Sequence, residues 1–455
     1  MRFHDGIVNI DGVLHVGGVS VAELVRCYDT PLYIYDESSL RNRCREIIAA
    51  SAEYPEMTVY YASKAFPNTG VGLLFYKEGM GIDAASEGEL LTALRSGVPG
   101  SDIILHGVGK SASYLDLGIK HNAIIVIDSL SEIDTVATIA ARQGATARCY
   151  LRVNPGVAGD SIHPITTAGN TKFGIPVVDG RIYKAIRQAD DNPNISLIGL
   201  HCHVGSQLGC TDIYRLSGKI LLSVMKKANA AGANLTGINL GGGFGVYYRQ
   251  GYSPEPLDMG NSIREIIGQM RLSCQELSLP LPHLSLELGR SLVAEAAVAV
   301  YTVSTVKEVP WLVAPSGDED DIVSMVLNAQ DEDTGELKAS NYAIIDGGLF
   351  ENPRPLFYGA VYNAVLPLKL NEPADRVYTI SGMSCETDTL IEEIALPQVN
   401  PGDLLAMPSA GAYQVAMSSN YQRMPKPAVV MVHDGVAKVI QRRQTIDEVL
   451  ALDGE

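Results

Sequence analysis

The chain is 455 residues long, 46% hydrophobic and 19% charged, with 44 glycines and a formal net charge of −17 at pH 7. This length favours two or more domains with sizeable cores, and the composition excludes a disordered or fibrous protein in favour of a globular α/β one. The negative charge, without a Lys/Arg cluster, makes nucleic acid an unexpected partner.

The first residues and the cysteines indicate a cellular compartment. No basic flank precedes an apolar core at the N-terminus, and no apolar run reaches about 18 residues, so we expect neither secretion nor membrane insertion. The seven cysteines are scattered without CxxC pairs. This pattern is typical of reduced thiols and predicts a cytoplasmic protein without a disulfide framework or a structural zinc site.

Residues 1–35 contain short apolar segments and turns, which predict strands. From about residue 58 to 290, short apolar runs alternate with helical patterns such as Ser131–Gln143 and Met259–Leu277, which is typical of βα units in a parallel sheet. The eight predicted strands are Thr58–Ala62, Gly81–Asp83, Ile103–Leu105, Ala123–Ile127, Arg148–Val153, Ile195–Leu200, Gly237–Leu240 and Leu284–Leu286. Eight such repeats predict a TIM-type (β/α)8 barrel.

Beyond residue 300, alternating segments such as Ala428–His433 and many Gly/Pro breaks predict antiparallel strands. Pro315–Asp321 and Gln330–Lys338 are acidic and turn-rich, and we interpret them as a solvated excursion between strands. We therefore predict an α/β barrel over 36–300, and a C-terminal β domain over 301–455 that the N-terminal segment 1–35 joins.

Chemically capable residues follow directly after the predicted strands. They are Lys64, Asp83, His106, Asp128, Asn154, His201, His203, Gly241–Gly243 and Glu287. The carboxyl ends of barrel strands meet at one rim, where active sites of this fold lie. For Asp128 or His106 taken singly, an ordinary polar loop is the better explanation. A lysine, a triglycine and a carboxylate on one rim favour an active site.

Three of these features suit a phosphate-bearing cofactor. Lys64 has few charged neighbours in sequence and can lose its proton to form a Schiff base, although an isolated lysine more often only packs its stem. The Gly241–Gly243 run lets backbone N–H groups approach an anion, and Ser206 can donate to the same phosphate. Glu287 can pair with a protonated pyridine nitrogen, although a salt bridge to Arg290 is its ordinary alternative.

The chain resembles alanine-racemase-like, pyridoxal-phosphate-dependent decarboxylases of the ornithine/diaminopimelate group. The motifs that carry the resemblance are Tyr-Ala-Ser-Lys64-Ala, Gly-Ile-Asp83-Ala-Ala-Ser86-Glu-Gly-Glu, His203-Val-Gly-Ser206, Gly241-Gly-Gly243, Glu287-Leu-Gly-Arg290, Ser384-Cys385-Glu386 and Gly411-Ala-Tyr413. They span nearly the whole chain, and they imply a barrel plus β-domain fold and a homodimer with shared active sites.

The resemblance also implies residue roles. Pyridoxal 5′-phosphate is expected on Lys64, with His203 stacked on its ring, Glu287 at its nitrogen and Cys385 as proton donor. The expected cofactor contacts are Lys64, Asp83, His203, Ser206, Gly241, Gly242, Gly243, Glu287, Gly289, Arg290 and Tyr413. No metal is expected.

Other segments resemble the members of this group that convert meso-2,6-diaminopimelate to L-lysine and CO2. They are His163-Pro164, Lys172-Phe-Gly174, Arg354-Pro-Leu-Phe-Tyr358, Cys385-Glu386, and Tyr413 before Ser419-Asn-Tyr421. The second amino-acid head of that substrate needs cations and an anion. The residues assigned to the substrate are Arg290, Arg354, Tyr358, Glu386 and Tyr413. The family's Cys-Glu-Ser-x-Asp stretch is shortened here to Cys385–Asp388.

Three alternatives remain open. A sister decarboxylase would act on D-ornithine, D-lysine, carboxynorspermidine or a carrier-linked amino acid, which lack the second head that Arg354 and Glu386 suit. A metal-dependent barrel hydrolase would use His201 and His203 as an HxH pair, but we expect no further His/Asp/Glu set to complete that site. A non-catalytic protein on the same fold would not need Lys64, the glycines and a cysteine together.

Overall fold

A computed structural model describes residues 3, 5–157, 171–253, 255, 257–312, 318–328 and 337–454. His163-Pro164 and most of the acidic excursion lie outside these residues. The chain divides into two compact units. We call Asp36–Ala296 with Gly411–Ala416 the barrel unit, and Met1–Tyr35 with Ala297–Ala410 and Met417–Glu455 the sheet unit.

The described part of the barrel unit contains eight parallel strands that close into a barrel, which confirms the predicted fold. Barrel strands 1 to 8 are Met57–Ala62, Gly81–Ala84, Ile103–Leu105, Ile124–Ile127, Ala147–Asn154, Ile195–His201, Gly237–Asn239 and His283–Leu288. Strand 4 pairs with strand 5, and strand 8 with strand 1, so the sheet closes on itself. A short strand, Ile175–Pro176, adds to strand 5.

The barrel strands are runs of apolar residues because both of their faces are buried. Inside the barrel, Tyr60, Ile104, Ile124, Val126 and Tyr150 pack against one another. Side chains fill the interior of a small barrel in this way and leave function to the strand ends.

Helices follow most of the barrel strands. They are Thr69–Lys77, Glu87–Arg95, Ala112–Lys120, Leu130–Gln143, Arg181–Asp190, Asp212–Ala230, Met259–Leu277 and the short Arg290–Val293, with 3-10 turns at Ser63–Ala65 and Gly100–Asp102. A further helix, Glu37–Ser51, precedes the first barrel strand. Several begin at a side chain that accepts a hydrogen bond from the first turn, as Asn68 and Ser86 do. Such caps explain where these helices start.

The described part of the sheet unit contains two sheets. Ile7–Ile10, Val13–Val16 and Val19–Ser20 form the small one. The strand order of the larger one is Thr389–Leu396, Arg376–Ser381, Leu337–Ile345, Ala297–Leu312, Leu32–Asp36, Ala428–His433 and Val436–Gln441, with Leu404–Pro408 also paired to Ala297–Leu312. Most of these pairs are antiparallel, as predicted, but Leu337–Ile345 and Arg376–Ser381 are parallel.

The remaining elements of the sheet unit are short. The helices are Val21–Tyr28, Glu319–Asn328, Arg354–Tyr358 and Ile446–Leu450, with a 3-10 turn at Tyr421–Arg423. A core that includes Leu14, Ile34, Val300 and Val430 packs beneath the sheets. No helix among the described residues is long and apolar enough to cross a membrane.

The acidic excursion differs in part from its prediction. It does connect two paired strands and its described part is largely exposed, but it contains the helix Glu319–Asn328. The acidic residues at 319–321 lie in the first turn of that helix, where the helix dipole favours negative charge. Lys338 belongs to the strand Leu337–Ile345 rather than to a turn.

Candidate active site

The carboxyl-terminal ends of the barrel strands bring most of the predicted cofactor residues to one pocket. Lys64 lies in the 3-10 turn after strand 1, Glu287 near the end of strand 8, and His203 just beyond strand 6. The pocket is lined by Lys64, His203, Ser206, Gly243, Glu287, Gly289, Arg290 and Tyr413, together with Ala62, Phe244 and Ser291.

Lys64 lies beside a carboxylate, since its Nζ is 3.8 Å from Asp83 Oδ2. Burial would lower the pKa of Lys64, but the charges of Asp83 and Glu287 outweigh that effect and hold its pKa above the ordinary value. The charges beside Lys64 therefore favour its protonated form in this arrangement. The sequence suggested few charged neighbours because Asp83 and Glu287 are distant in sequence.

Asp83 is a buried carboxyl group at the same strand ends. It is 1% exposed, and neither carboxylate oxygen has a hydrogen-bond partner among the described residues. Burial raises the pKa of Asp83 to about 6, although His106, 3.9 Å away, and Lys64 act against this. Asp83 is therefore a group that takes up or releases a proton near neutrality, next to the reactive lysine.

Glu287 has the opposite environment. Its Oε1 accepts hydrogen bonds from Asn239 Nδ2 at 2.7 Å and from His106 Nε2 at 2.8 Å, and His201 Nε2 lies 3.3 Å from Oε2. Burial alone would raise its pKa, but the neighbouring His106 and His201 hold the pKa of Glu287 well below the ordinary value. The carboxylate therefore stays ionised and suits a protonated pyridine nitrogen.

Arg290 provides positive charge at the pocket. Its guanidinium donates to Ser206 Oγ at 3.0 Å and to Tyr248 Oη at 2.9 Å, and it lies 4.9 Å from the centre of the Tyr413 ring. Its Nε is buried without a hydrogen-bond partner among the described residues. No ion pair joins Arg290 to Glu287 among the described residues. The salt bridge between them, which was the ordinary alternative role for Glu287, is therefore not formed.

The glycine run packs against the ends of the neighbouring strands. A Cβ at Gly242 would come within 1.8 Å of the Glu287 carbonyl oxygen, and one at Gly243 within 2.2 Å of the Gly205 carbonyl oxygen. Side chains are therefore excluded here by the barrel itself. The Gly242 N–H donates to His203 Nδ1 at 3.3 Å, so this ring nitrogen is the acceptor.

The Cys385–Asp388 turn lies in the sheet unit. Cys385 is exposed, so the alternative that this thiol is merely buried packing is wrong. The neighbouring Glu386 accepts a hydrogen bond from the Tyr421 hydroxyl. Asp388 fixes the shortened turn, because its carboxylate accepts hydrogen bonds from the backbone N–H groups of Leu349 at 2.7 Å and Ser384 at 3.2 Å.

Arg354 and Tyr358, also in the sheet unit, lie at the two ends of one short helix. Arg354 is buried, donates from Nε to the Tyr362 hydroxyl at 2.8 Å, and lies 5.5 Å from the centre of the Tyr358 ring. Tyr358 itself is exposed.

Sequence reasoning missed the partners of Glu287. His106 was assigned to an ordinary loop, His201 was given a role only in the metal hypothesis, and Asn239 was not considered. Their common signal is position, since each is the last residue of a barrel strand or directly follows one. Asp128 has the contacts expected of an ordinary polar loop residue, because its carboxylate lies 3.7 Å from Arg152 and accepts a hydrogen bond from the Gly174 N–H at 3.2 Å.

The metal hypothesis is corrected in one respect. His201 and His203 do not pair; instead His106, His201 and Glu287 place possible ligand atoms within 4.8 Å of one another. A set of three groups that we did not expect therefore exists. Its members are joined by direct hydrogen bonds.

The residues at the strand ends fit pyridoxal phosphate. An amine at Lys64, an ionised carboxylate at Glu287 and a buried cation at Arg290 beside the Ser206 hydroxyl match the aldehyde, ring nitrogen and phosphate of that cofactor. The buried oxygens of Asp83 and the Nε of Arg290 have no hydrogen-bond partner in the described part of the chain, and a bound ligand can provide one.

Comparisons with known proteins agree with this chemistry. Residues 39–294 match the family described as pyridoxal-dependent decarboxylase, pyridoxal binding domain. The chain is 35% identical to diaminopimelate decarboxylase of Corynebacterium efficiens, over 97% of this chain and 92% of that protein. It is 34% identical to the Bacillus subtilis enzyme of the same name, over 98% and 96%.

A solved structure agrees as well. Diaminopimelate decarboxylase from M. jannaschii in complex with L-lysine has a TM-score of 0.85 and 28% sequence identity, with 99% of this chain and 98% of that chain covered. The similarity therefore extends beyond the barrel to the residues of the sheet unit.

Proposed function

Because this chain belongs to the pyridoxal-dependent decarboxylases, we propose that it decarboxylates meso-2,6-diaminopimelate to L-lysine and CO2. The observation that carries the choice of substrate is the extent of the similarity. Relatives named diaminopimelate decarboxylase match 97% or more of the chain, which includes Arg354, Tyr358 and Glu386 in the sheet unit.

In the reaction, the bond between the α-carbon and its carboxylate breaks, CO2 leaves, and a proton takes its place. Pyridoxal phosphate, when bound, supplies the electron sink for the pair left by CO2. Lys64 would hold the cofactor covalently, and Glu287 would hold the proton on its ring nitrogen. Ser206, Gly241–Gly243 and Arg290 would bind its phosphate.

His203 and Asp83 complete the proposed cofactor site. The low pKa of His203, which burial produces, keeps the imidazole neutral, so its ring can stack on the cofactor without adding charge. Asp83 beside Lys64 would take up or release the proton that the lysine amine gives up or regains when it holds the cofactor. Gly289 and Tyr413 line the same pocket.

We assign the proton donor to Cys385. A thiol can donate a proton to a strongly basic carbon. The exposure of Cys385 supports this role, because an acid must reach the substrate. We further propose a homodimer in which the Cys385–Glu386 turn of one subunit completes the site of the other, and a cytoplasmic location, where a reduced thiol persists.

The second amino-acid head of the substrate is assigned to Arg290, Arg354, Tyr358 and Glu386, with Tyr413 nearer the cofactor. A carboxylate and an ammonium group need opposite charges, which these residues provide.

A decarboxylation assay across meso-diaminopimelate, lysine, ornithine and carboxynorspermidine tests the proposal. We expect turnover of meso-diaminopimelate with release of one CO2 and little turnover of the others. Equal activity on lysine or ornithine would overturn the substrate assignment and leave the decarboxylase class intact.

A further inference from the structure

Glu287 is surrounded by three N–H groups from three other barrel strands. His106 follows strand 3, His201 ends strand 6 and Asn239 ends strand 7. All four side chains are almost completely buried. The hydrogen bonds of 2.7, 2.8 and 3.3 Å fix both oxygens of the carboxylate before any ligand arrives.

The two imidazoles are suited to be neutral donors. Burial lowers the pKa of both His106 and His201. The ring centres are only 4.7 Å apart, a distance at which two cations would repel each other strongly in the interior. His201 Nδ1 has no hydrogen-bond partner among the described residues, so a proton there would be a buried, unpaired donor. The proton of His201 therefore belongs on Nε2, which lies against Glu287.

A second carboxyl group in the same unit shows what these donors change. Asp83 is as buried as Glu287 but accepts no hydrogen bond from a described residue. Burial, with the negative charge of Glu287 adding to it, raises the pKa of Asp83, whereas hydrogen bonds from His106 and His201 are among the causes that lower the pKa of Glu287. Without its donors, Glu287 would take up a proton itself and could no longer hold a pyridinium.

We propose that His106 and His201 are positioning residues that act as neutral Nε2–H donors to keep Glu287 an oriented carboxylate toward the ring nitrogen of the cofactor. This inference rests on the proposed role of Glu287. It does not depend on which amino acid is decarboxylated.

Measurements of cofactor affinity can distinguish the proposed positioning role of His106 and His201 from a role in packing alone. Full-length apoenzyme is reconstituted with pyridoxal phosphate or with its carbocyclic analogue, in which C–H replaces the ring nitrogen, and the dissociation constant of each is measured. The wild type should bind pyridoxal phosphate roughly ten- to a hundredfold more tightly than the analogue, as expected for a hydrogen bond between charged groups. His106→Leu and His201→Leu should each lower this preference roughly tenfold.

Matched variants show whether the loss of an N–H donor causes the lowered preference for pyridoxal phosphate. His106→Gln keeps an N–H group near the position of Nε2 and should retain the preference to within roughly threefold. His283→Gln removes a histidine four residues from Glu287 on the same strand, where it contacts Thr58, and should leave the preference unchanged. If a leucine variant does not fold, Asn239→Ala removes the third donor and should lower the preference in the same way.

The outcomes are distinct. If both affinities fall equally in the leucine variants, the histidines only pack, and the inference is overturned. Stoichiometric zinc in the purified holoenzyme that is lost in His106→Leu would overturn it in favour of a metal site. Glu287→Gln tests the premise: if that variant keeps the preference, the proposed role of Glu287 fails. If the histidine variants keep the preference for pyridoxal phosphate and Glu287→Gln loses it, the inference about the histidines fails and the proposed role of Glu287 stands.

Discussion

Two buried glutamates, one in each unit, have opposite charge behaviour. Glu287 in the barrel unit accepts hydrogen bonds from imidazole and amide N–H groups, and its pKa is held well below the ordinary value. Glu351 in the sheet unit accepts from the hydroxyl of Tyr33 at 2.5 Å and from the Gly348 N–H at 3.0 Å, yet burial raises its pKa to about 7.

The difference shows that burial alone does not decide the charge of a carboxyl group. Both side chains are withdrawn from water, but only Glu287 has imidazoles on both oxygens. A carboxylate that stays charged can stabilise a cationic ring, whereas one that titrates near neutrality makes the stability of its unit depend on pH. Variants in the two units therefore have different expected consequences.

The largest effect is expected in the barrel unit. Lys64→Ala removes the amine that holds the cofactor, and turnover should fall by several orders of magnitude, since no other group replaces a covalent attachment. The measurements are turnover of meso-diaminopimelate and the visible absorption of bound cofactor after free amines are removed. Lys219→Ala changes an exposed lysine on a barrel helix and should leave both unchanged. Normal turnover by Lys64→Ala would remove Lys64 from the site.

The next effect tests whether the sheet unit serves the site of another subunit. Lys64→Ala and Cys385→Ala should each be inactive alone. After subunit exchange, a mixed dimer carries one site with both residues intact, and its activity should recover to at most about half of the wild type, by counting sites.

The control for this experiment is exchange itself, followed with two differently tagged wild-type subunits. If subunits exchange and no activity returns, either both residues serve the same subunit or Cys385 is not the acid. In either case, the proposal that the sheet unit of one subunit completes the active site of the other would fail.

The sequence predicted the barrel unit better than the sheet unit. Its strands are short apolar runs that recur at regular intervals, and the fold requires their carboxyl ends to meet at one rim. Lys64 and Glu287 could therefore be assigned to one site from strand position alone. The partners of Glu287 could not, because strand position brings many polar residues to one rim without showing that His106, His201 and Asn239 contact its carboxylate.

The sheet unit depends on pairings that no local pattern encodes. Leu32–Asp36 pairs with Ala297–Leu312 across more than half of the chain, and the parallel pair within the large sheet has no sequence signal of its own. The sequence shows that the turn after Cys385 is shortened. It does not show that Asp388 fixes this turn by accepting a hydrogen bond from the Leu349 N–H, because that contact joins segments distant in sequence.

A smaller effect is expected at Arg354. Arg354→Ala should raise the KM for meso-diaminopimelate by an amount equivalent to about 2–5 kcal/mol if the substrate carboxylate is left unpaired in a buried site. Cofactor binding should be unchanged, because Arg354 belongs to the substrate assignment only. Arg376→Ala, on an exposed strand end of the same unit, is the matched control. A fall in kcat with no change in KM would contradict the assignment.

The smallest effect is on stability, and it follows from Glu351. An unfolded glutamate has a pKa of about 4.3, and the folded value is about 7, so the folded protein holds this proton more tightly. The stabilising contribution is fully present below about pH 4 and is lost as the pH rises toward 7, up to about 4 kcal/mol in total. Glu351→Gln cannot lose a proton, so wild-type melting temperature should fall relative to this variant between pH 5 and pH 8.

Melting curves of both proteins at several pH values in that range measure the difference, and Glu372→Gln, an exposed site in the same unit, corrects for the loss of one charge. Tyr33 and Tyr301 both donate to the same oxygen of Glu351, Oε2, and a glutamine oxygen in that position can accept both hydrogen bonds. The variant should therefore fold. A melting difference that stays constant with pH would mean that Glu351 is ionised throughout, as Glu287 is, and the contrast between the two buried glutamates would disappear.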